Sequence, residues 1–153
     1  MGSPSDAAVM QKATDVLTEL GVPFELKVCS AHRTPQRVLD YAASAESRGI
    51  QVIIAAAGMS AHLPGMLAAL THIPVLGVPM EGKLMGGMDA LLSMCNMPKG
   101  TPVATMGMGL HGAVNAALLA VAMLALHDDQ LRYRLLAYRQ AQTAAVPEQL
   151  PHA

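Results

Sequence analysis

The sequence predicts an α/β fold, a three-layer sandwich in which helices cover both faces of a parallel sheet. Amphipathic helical stretches alternate along the chain with short apolar runs, and strands alternating with helices pack as parallel βαβ units. One run, Val52 to Ala57, is apolar throughout, as a strand covered on both faces must be. The 153 residues, 52% hydrophobic and 14% charged, suffice for one domain with a real core. A disordered chain would be charge-rich and poor in apolar residues.

The elements follow in order. Val9, Ala13, Val16, Leu17 and Leu20 recur at three- and four-residue steps, one face of a helix over Asp6 to Leu20. Asp6 suits its N-cap, and Gly21 stands where a left-handed residue ends a helix. Phe24, Leu26 and Val28 alternate with Glu25, Lys27 and Cys29, the pattern of a half-buried strand. Thr34-Pro35 opens the next helix as cap and N1 proline, and Gly49 closes it. After the Val52–Ala57 strand come a helix behind His62, a strand over Pro74 to Val78, and a helix over Met88 to Met97. Pro102 to Met106 reads as a strand and Gly112 to Leu126 as a long Ala/Leu-rich helix. Asp128-Asp129 begin an amphipathic C-terminal helix bearing Leu131, Leu135, Leu136 and Tyr138. Residues 1–145 thus read as a single catalytic α/β domain and 146–153 as a frayed tail.

Composition narrows the function classes. Ten basic residues against eleven acidic ones give a net charge of −1, which does not suit a broad nucleic-acid surface. Aromatics are 3% and methionines number twelve, so Ala, Leu, Val and Met fill the core. The scattered Met80 to Met108 set reads as flexible packing, not as a soft-metal site. So few charges also point to apolar surface buried against other subunits. Cys29 and Cys95 form neither a disulfide framework nor a metal cluster and suit a reducing cytoplasm. The start, Met1-Gly-Ser-Pro-Ser-Asp, lacks the basic and apolar pattern of a secretory leader. Gly112 to Leu126 is about five residues short of a bilayer span and contains Asn115. The expectation is a soluble, cytoplasmic protein without a membrane partner.

In α/β folds ligands bind at the carboxyl ends of strands, in the loops that lead into helices. Three such loops carry chemistry. Gly2, Ser3 and Ser5 offer small residues and two hydroxyls before a helix N-terminus, which favours an anion. Asp6 beside them suits a ribose diol, although the loop reads equally well as a plain capping turn. Ser30-Ala-His-Arg-Thr-Pro35 places a hydroxyl, an imidazole and a guanidinium within six residues. Arg33 can clamp a phosphate bidentately, and His32 can act as acid or base near neutral pH. Ala57-Gly-Met-Ser-Ala-His-Leu-Pro-Gly65 sets His62 either to cap its helix or to face the same crevice. His72 and His127 read as surface or helix-end residues, and His152 belongs to the tail. No HExxH, GxxxxGK[ST] or GxGxxG occurs, which counts against zinc, ATP and dinucleotide binding in their usual modes. The residues alone reach a small enzyme for a phosphorylated, ribose-bearing molecule that uses histidine acid–base chemistry without a metal, and they do not name the reaction.

Together these loops resemble the N5-carboxyaminoimidazole ribonucleotide mutase family of purine biosynthesis. The matching runs are Gly2–Asp6, Ser30–Pro35, Ser60–Met66, Pro74–Pro79, Met97–Val103 and Asn115–Ala120. The resemblance implies a flavodoxin-like fold, a homo-octamer with active sites at subunit boundaries, and isomerisation without a cofactor. It assigns Ser3, Ser5 and Arg33 to the substrate phosphate and Asp6 to the ribose. Ser30, Ala31, Gly58, Ser60 and Leu63 then surround the carboxylated aminoimidazole. His32 becomes the proton shuttle and His62 the second catalytic histidine.

A related branch carboxylates aminoimidazole ribonucleotide directly with CO₂. The Ala61-His62-Leu63-Pro64-Gly65 loop resembles the mutase branch, leaving the direct carboxylase, or an idle nucleotide-binding octamer subunit, as alternatives. The chain departs from the family pattern at Gly58-Met59-Ser60, where Met59 adds bulk beside the carboxylate pocket. Ser93-Met-Cys-Asn-Met-Pro98 and Gly107-Met-Gly109 also differ. The family places a short apolar strand before its Gly-Ser loop. The resemblance therefore implies a sheet lacking its usual first strand, with roughly ten upstream residues at about 3.3 Å each.

Overall fold

The computed structural model describes residues 1–148. Helices α1 (Ala7–Glu19), α2 (Pro35–Ala45), α3 (Leu63–Leu70), α4 (Met88–Cys95), α5 (Gly109–Leu124) and α6 (Asp129–Ala144) surround three strands. These are β1 (Ile53–Ala57), β2 (Val75–Pro79) and β3 (Ala104–Thr105), parallel and in the order β1-β2-β3. Ile53 faces Val75 and Ala57 faces Pro79, and Leu76 faces Ala104 in the second pair.

Strand alternation divides the core into two layers. Ala56, Leu76 and Val78 turn toward α1, α5 and α6, where they meet Leu17, Ala117, Val121 and Leu135. Ile53, Ala55 and Val75 turn the other way, toward Val38, Ala42, Leu67, Ala90 and Met94. This is the three-layer sandwich with its parallel, flavodoxin-like sheet, of three strands among the described residues. The Ala- and Gly-rich buried face of α5, from Gly109 to Ala120, lets it lie close against α1 and the sheet. At Gly112 an added Cβ would collide with the carbonyl oxygen of Gly107, so only glycine fits that start of α5.

Several expectations need correction. Phe24 to Val28 forms no strand: Phe24 and Leu26 stand 47% and 46% exposed. Its neighbouring ladder exists only at Met1, whose amine donates to the Lys27 carbonyl and whose carbonyl accepts from Cys29. The strand expected over Pro102 to Met106 shrinks to Ala104–Thr105, and the Pro74 strand begins one residue later. The Gly112 helix starts earlier, at Gly109 (φ +62), and ends at Leu124. Asp6 does not cap α1 with its side chain. Its carboxylate accepts from the Ser3 amide instead, closing a capping box on a 3₁₀ turn over Pro4–Asp6. Thr34 likewise turns its hydroxyl back to Ser30 and leaves the α2 cap unbonded. Gly21 (φ +67) and the Asp128 cap, which accepts from the Leu131 amide, are as expected. Of the frayed tail, 149–153 with His152 lie outside the described residues.

Candidate active site

Three chain segments converge at the carboxyl end of the sheet, around a cavity of about 630 Å³. The loop after β1 supplies Gly58, Ser60, His62 and Leu63; the loop before α2 supplies Ser30, Ala31, His32 and Arg33; the turn before α1 supplies Ser3, Ser5 and Asp6. The fold thus brings all eleven of these sequence-derived candidates to one cavity. His72 stays outside it, exposed against Glu46 at 3.3 Å.

One end of the cavity brings a guanidinium beside two hydroxyls and a carboxylate. Arg33 is held in place from two sides: its Nε donates to Ser30 Oγ at 3.2 Å and its Nη2 to the Gly2 carbonyl at 3.3 Å. That second bond ties the guanidinium to the glycine-serine turn. There Ser5 Oγ lies 2.7 Å from Ser3 Oγ, and the Ser5 amide donates to the same Ser3 oxygen. Asp6 Oδ1 accepts from the Ser5 hydroxyl and Oδ2 from the Ser3 amide, which fixes its carboxylate at the cavity edge. A guanidinium and two hydroxyls before a helix start bind a phosphate well.

The second feature of the cavity is the pair of imidazoles, His32 and His62. His32 Nε2 lies 2.8 Å from His62 Nδ1, and the rings meet edge to face at 85° with centroids 4.9 Å apart. His62 is the residue preceding α3, and its amide bonds the Ser60 carbonyl at 2.8 Å. Its side chain makes no capping bond to α3 and meets His32 instead. Among the described residues, no three His, Cys, Asp or Glu side chains converge as metal ligands would, and no helix is long and apolar enough to cross a membrane.

Residues 1–145 match the AIR carboxylase family. The chain belongs to that family. It is 53% identical over 148 residues to the N5-carboxyaminoimidazole ribonucleotide mutase of Brucella melitensis, covering 97% of this chain and 91% of that protein. The same identity and coverage of this chain hold against the bifunctional purine synthesis protein purC/E of Dictyostelium discoideum, of which the match spans only 15%. Among solved structures, Treponema denticola PurE superposes with a TM-score of 0.83 at 25% identity, over 94% of this chain and 89% of that one.

In this AIR carboxylase family member the cavity has further walls that sequence reasoning passed over. Met80 and Glu81, directly after β2, line it. Their position at a strand's carboxyl end was the available signal; neither belongs to an unusual loop. Met59 also lines the cavity, yet its side chain is 76% exposed and its backbone sits at φ +56. That left-handed conformation is strained for a residue with a side chain.

Proposed function

We propose that this chain interconverts N5-carboxyaminoimidazole ribonucleotide and 4-carboxy-5-aminoimidazole ribonucleotide, as an isomerase of purine biosynthesis. The observation that carries the reading is the His32–His62 contact in a cavity whose other end holds Arg33, Ser3 and Ser5. In this assignment Arg33 and the two serines hold the substrate phosphate, and Asp6 accepts from the ribose hydroxyls. Ser30, Ala31, Gly58, Ser60 and Leu63 surround the aminoimidazole and its carboxylate.

The reaction moves a carboxyl group from the exocyclic nitrogen to ring carbon 4. His32 gives a proton to the carbamate nitrogen, the N–C bond breaks, and its electron pair stays on that nitrogen as CO₂ leaves. Electron density from the freed amine makes ring carbon 4 nucleophilic, and this carbon attacks the retained CO₂. The same imidazole then removes the proton on carbon 4, restoring the aromatic ring. One proton is given and one taken back, so the enzyme ends as it began and needs no cofactor. A pocket that keeps CO₂ beside the ring turns recapture into an intramolecular event. A placed acid–base group adds about 10²–10⁴-fold.

The wider setting belongs to the same proposal. Exposed Leu84, Met85, Leu126 and Tyr133 suit burial against other copies in a homo-octamer with sites at subunit boundaries. The free thiols Cys29 and Cys95 suit the cytoplasm. The test is to supply each ribonucleotide in turn to the purified protein without metal or cofactor. Both directions must reach the same equilibrium mixture; failure in either direction contradicts the reading.

A further inference from the structure

Two carboxylates line the cavity, Asp6 and Glu81, and a carboxylate can only accept hydrogen bonds. Asp6 is engaged, since its oxygens accept from the Ser5 hydroxyl and the Ser3 amide. Glu81 is not. It is exposed, and among the described residues its carboxylate has no hydrogen-bond or ion-pair partner. The fold nevertheless keeps room for it. At Gly109 (φ +62) an added Cβ would stand 2.9 Å from Glu81 Oε1, so glycine there leaves the carboxylate its place beside the start of α5.

The end of β1 separates Glu81 from the phosphate turn. The Gly2 amide bonds the Ala56 carbonyl and the Met80 amide bonds the Ala57 carbonyl, each at 2.9 Å. Successive carbonyls of a strand point to opposite edges, so the glycine-serine turn and Glu81 flank β1 on its two sides. Neighbouring strands lie about 4.8 Å apart, which sets the two flanks at roughly twice that separation. The loop carrying Ser60 and His62 leaves from between them. Met80 packs against its first residue, since a Cβ added at Gly58 would meet Met80 Cβ at 3.4 Å. A ribonucleotide whose phosphate sits on Arg33 and the serines must cross the end of β1 to reach Glu81. Its base, and not its phosphate, arrives there.

Resting on the functional reading given under Proposed function, we propose that Glu81 recognises the exocyclic nitrogen of the aminoimidazole by accepting its N–H. In that reading the phosphate, the ribose and the carboxylate have partners, and this donor has none; an unengaged carboxylate on the base side of the cavity supplies the acceptor. The same contact serves the reaction. Once His32 has protonated the carbamate nitrogen, that nitrogen carries positive charge, and an ionised acceptor beside it makes a charge-assisted bond. After CO₂ has left, the bond from the amine to Glu81 favours donation of the nitrogen electron pair into the ring, toward carbon 4.

The test is calorimetric binding, in CO₂-free buffer, of two ligands that cannot react there. One is 5-aminoimidazole ribonucleotide; the other is imidazole ribonucleotide, with hydrogen in place of the amine. The wild type is expected to hold the amine-bearing ligand at least about 10-fold tighter. Glu81→Ala should bring the two dissociation constants within about 2-fold of each other, with that for imidazole ribonucleotide within about 3-fold of wild type. Glu81→Gln keeps the shape and an acceptor oxygen without the charge, and its preference should lie between. An undiminished preference in either variant overturns the proposal, and so does a wild type without one. Equal weakening of both ligands, the mark of a merely structural role, overturns it too. A wild type that binds neither ligand contradicts the functional reading itself and removes the proposal with it.

Discussion

His32 Nε2 and His62 Nδ1 face each other at 2.8 Å across the mouth of the cavity. Two bare lone pairs, or two N–H groups, would repel at that separation, so a single proton lies between the nitrogens. The His62 amide bonds the Ser60 carbonyl in the turn that precedes α3.

Replacing His32 by Asn removes the proton carrier and keeps a polar group of similar reach. Turnover should fall by at least about 10³-fold, while the dissociation constant for the ribonucleotide changes by no more than a few fold. Calorimetric binding beside a steady-state assay checks both numbers. An active His32→Asn enzyme would falsify the shuttle assignment.

Arg33 is predicted to act on binding instead. Its guanidinium is oriented by Ser30 and Gly2 before any substrate arrives, and charge-assisted bonds to a phosphate are worth about 1.5–3 kcal/mol. Arg33→Ala should raise KM by about 10- to 100-fold with a much smaller change in kcat. Saturation kinetics on the two proteins decide the matter; a fall confined to kcat is the contrary result.

The Met1 amine makes stability depend on pH in a definite direction. Burial holds its folded pKa below the unfolded value of 8.0, so between those two values the unfolded chain binds more protons. Stability then rises with pH through that window and levels off above 8.0. Urea denaturation of the 153-residue chain at several pH values measures this. Acetylating the amine should remove this contribution to the slope, and an unchanged slope after acetylation contradicts it.

Much of this was legible in the sequence because the relevant signals are local. The Val52–Ala57 run, the Gly21 stop and the Asp128 cap each act within a few residues, and the structure places them as read. The three loops were legible because chemistry-bearing side chains are concentrated in them. Phe24 to Val28 was misread for the opposite reason. Alternation records which faces a strand would present, but pairing needs a neighbour, and among the described residues the segment's backbone pairs only with Met1. Asp6 and Thr34 were misread as side-chain caps because the same oxygens have closer partners in Ser3 and Ser30. Met80 and Glu81 were missed as site residues because they carry no unusual loop motif, although their place directly after β2 was the available signal.

The central claim is that one carboxyl group leaves nitrogen and returns to carbon without escaping. The direct measurement supplies carbamate substrate labelled with ¹³C at its carboxyl group, in buffer containing unlabelled bicarbonate. Early product should carry the label at the carboxyl on ring carbon 4, and added bicarbonate should not increase the rate. Unlabelled product, formed at a rate that climbs with bicarbonate, would contradict the account and identify a direct carboxylase.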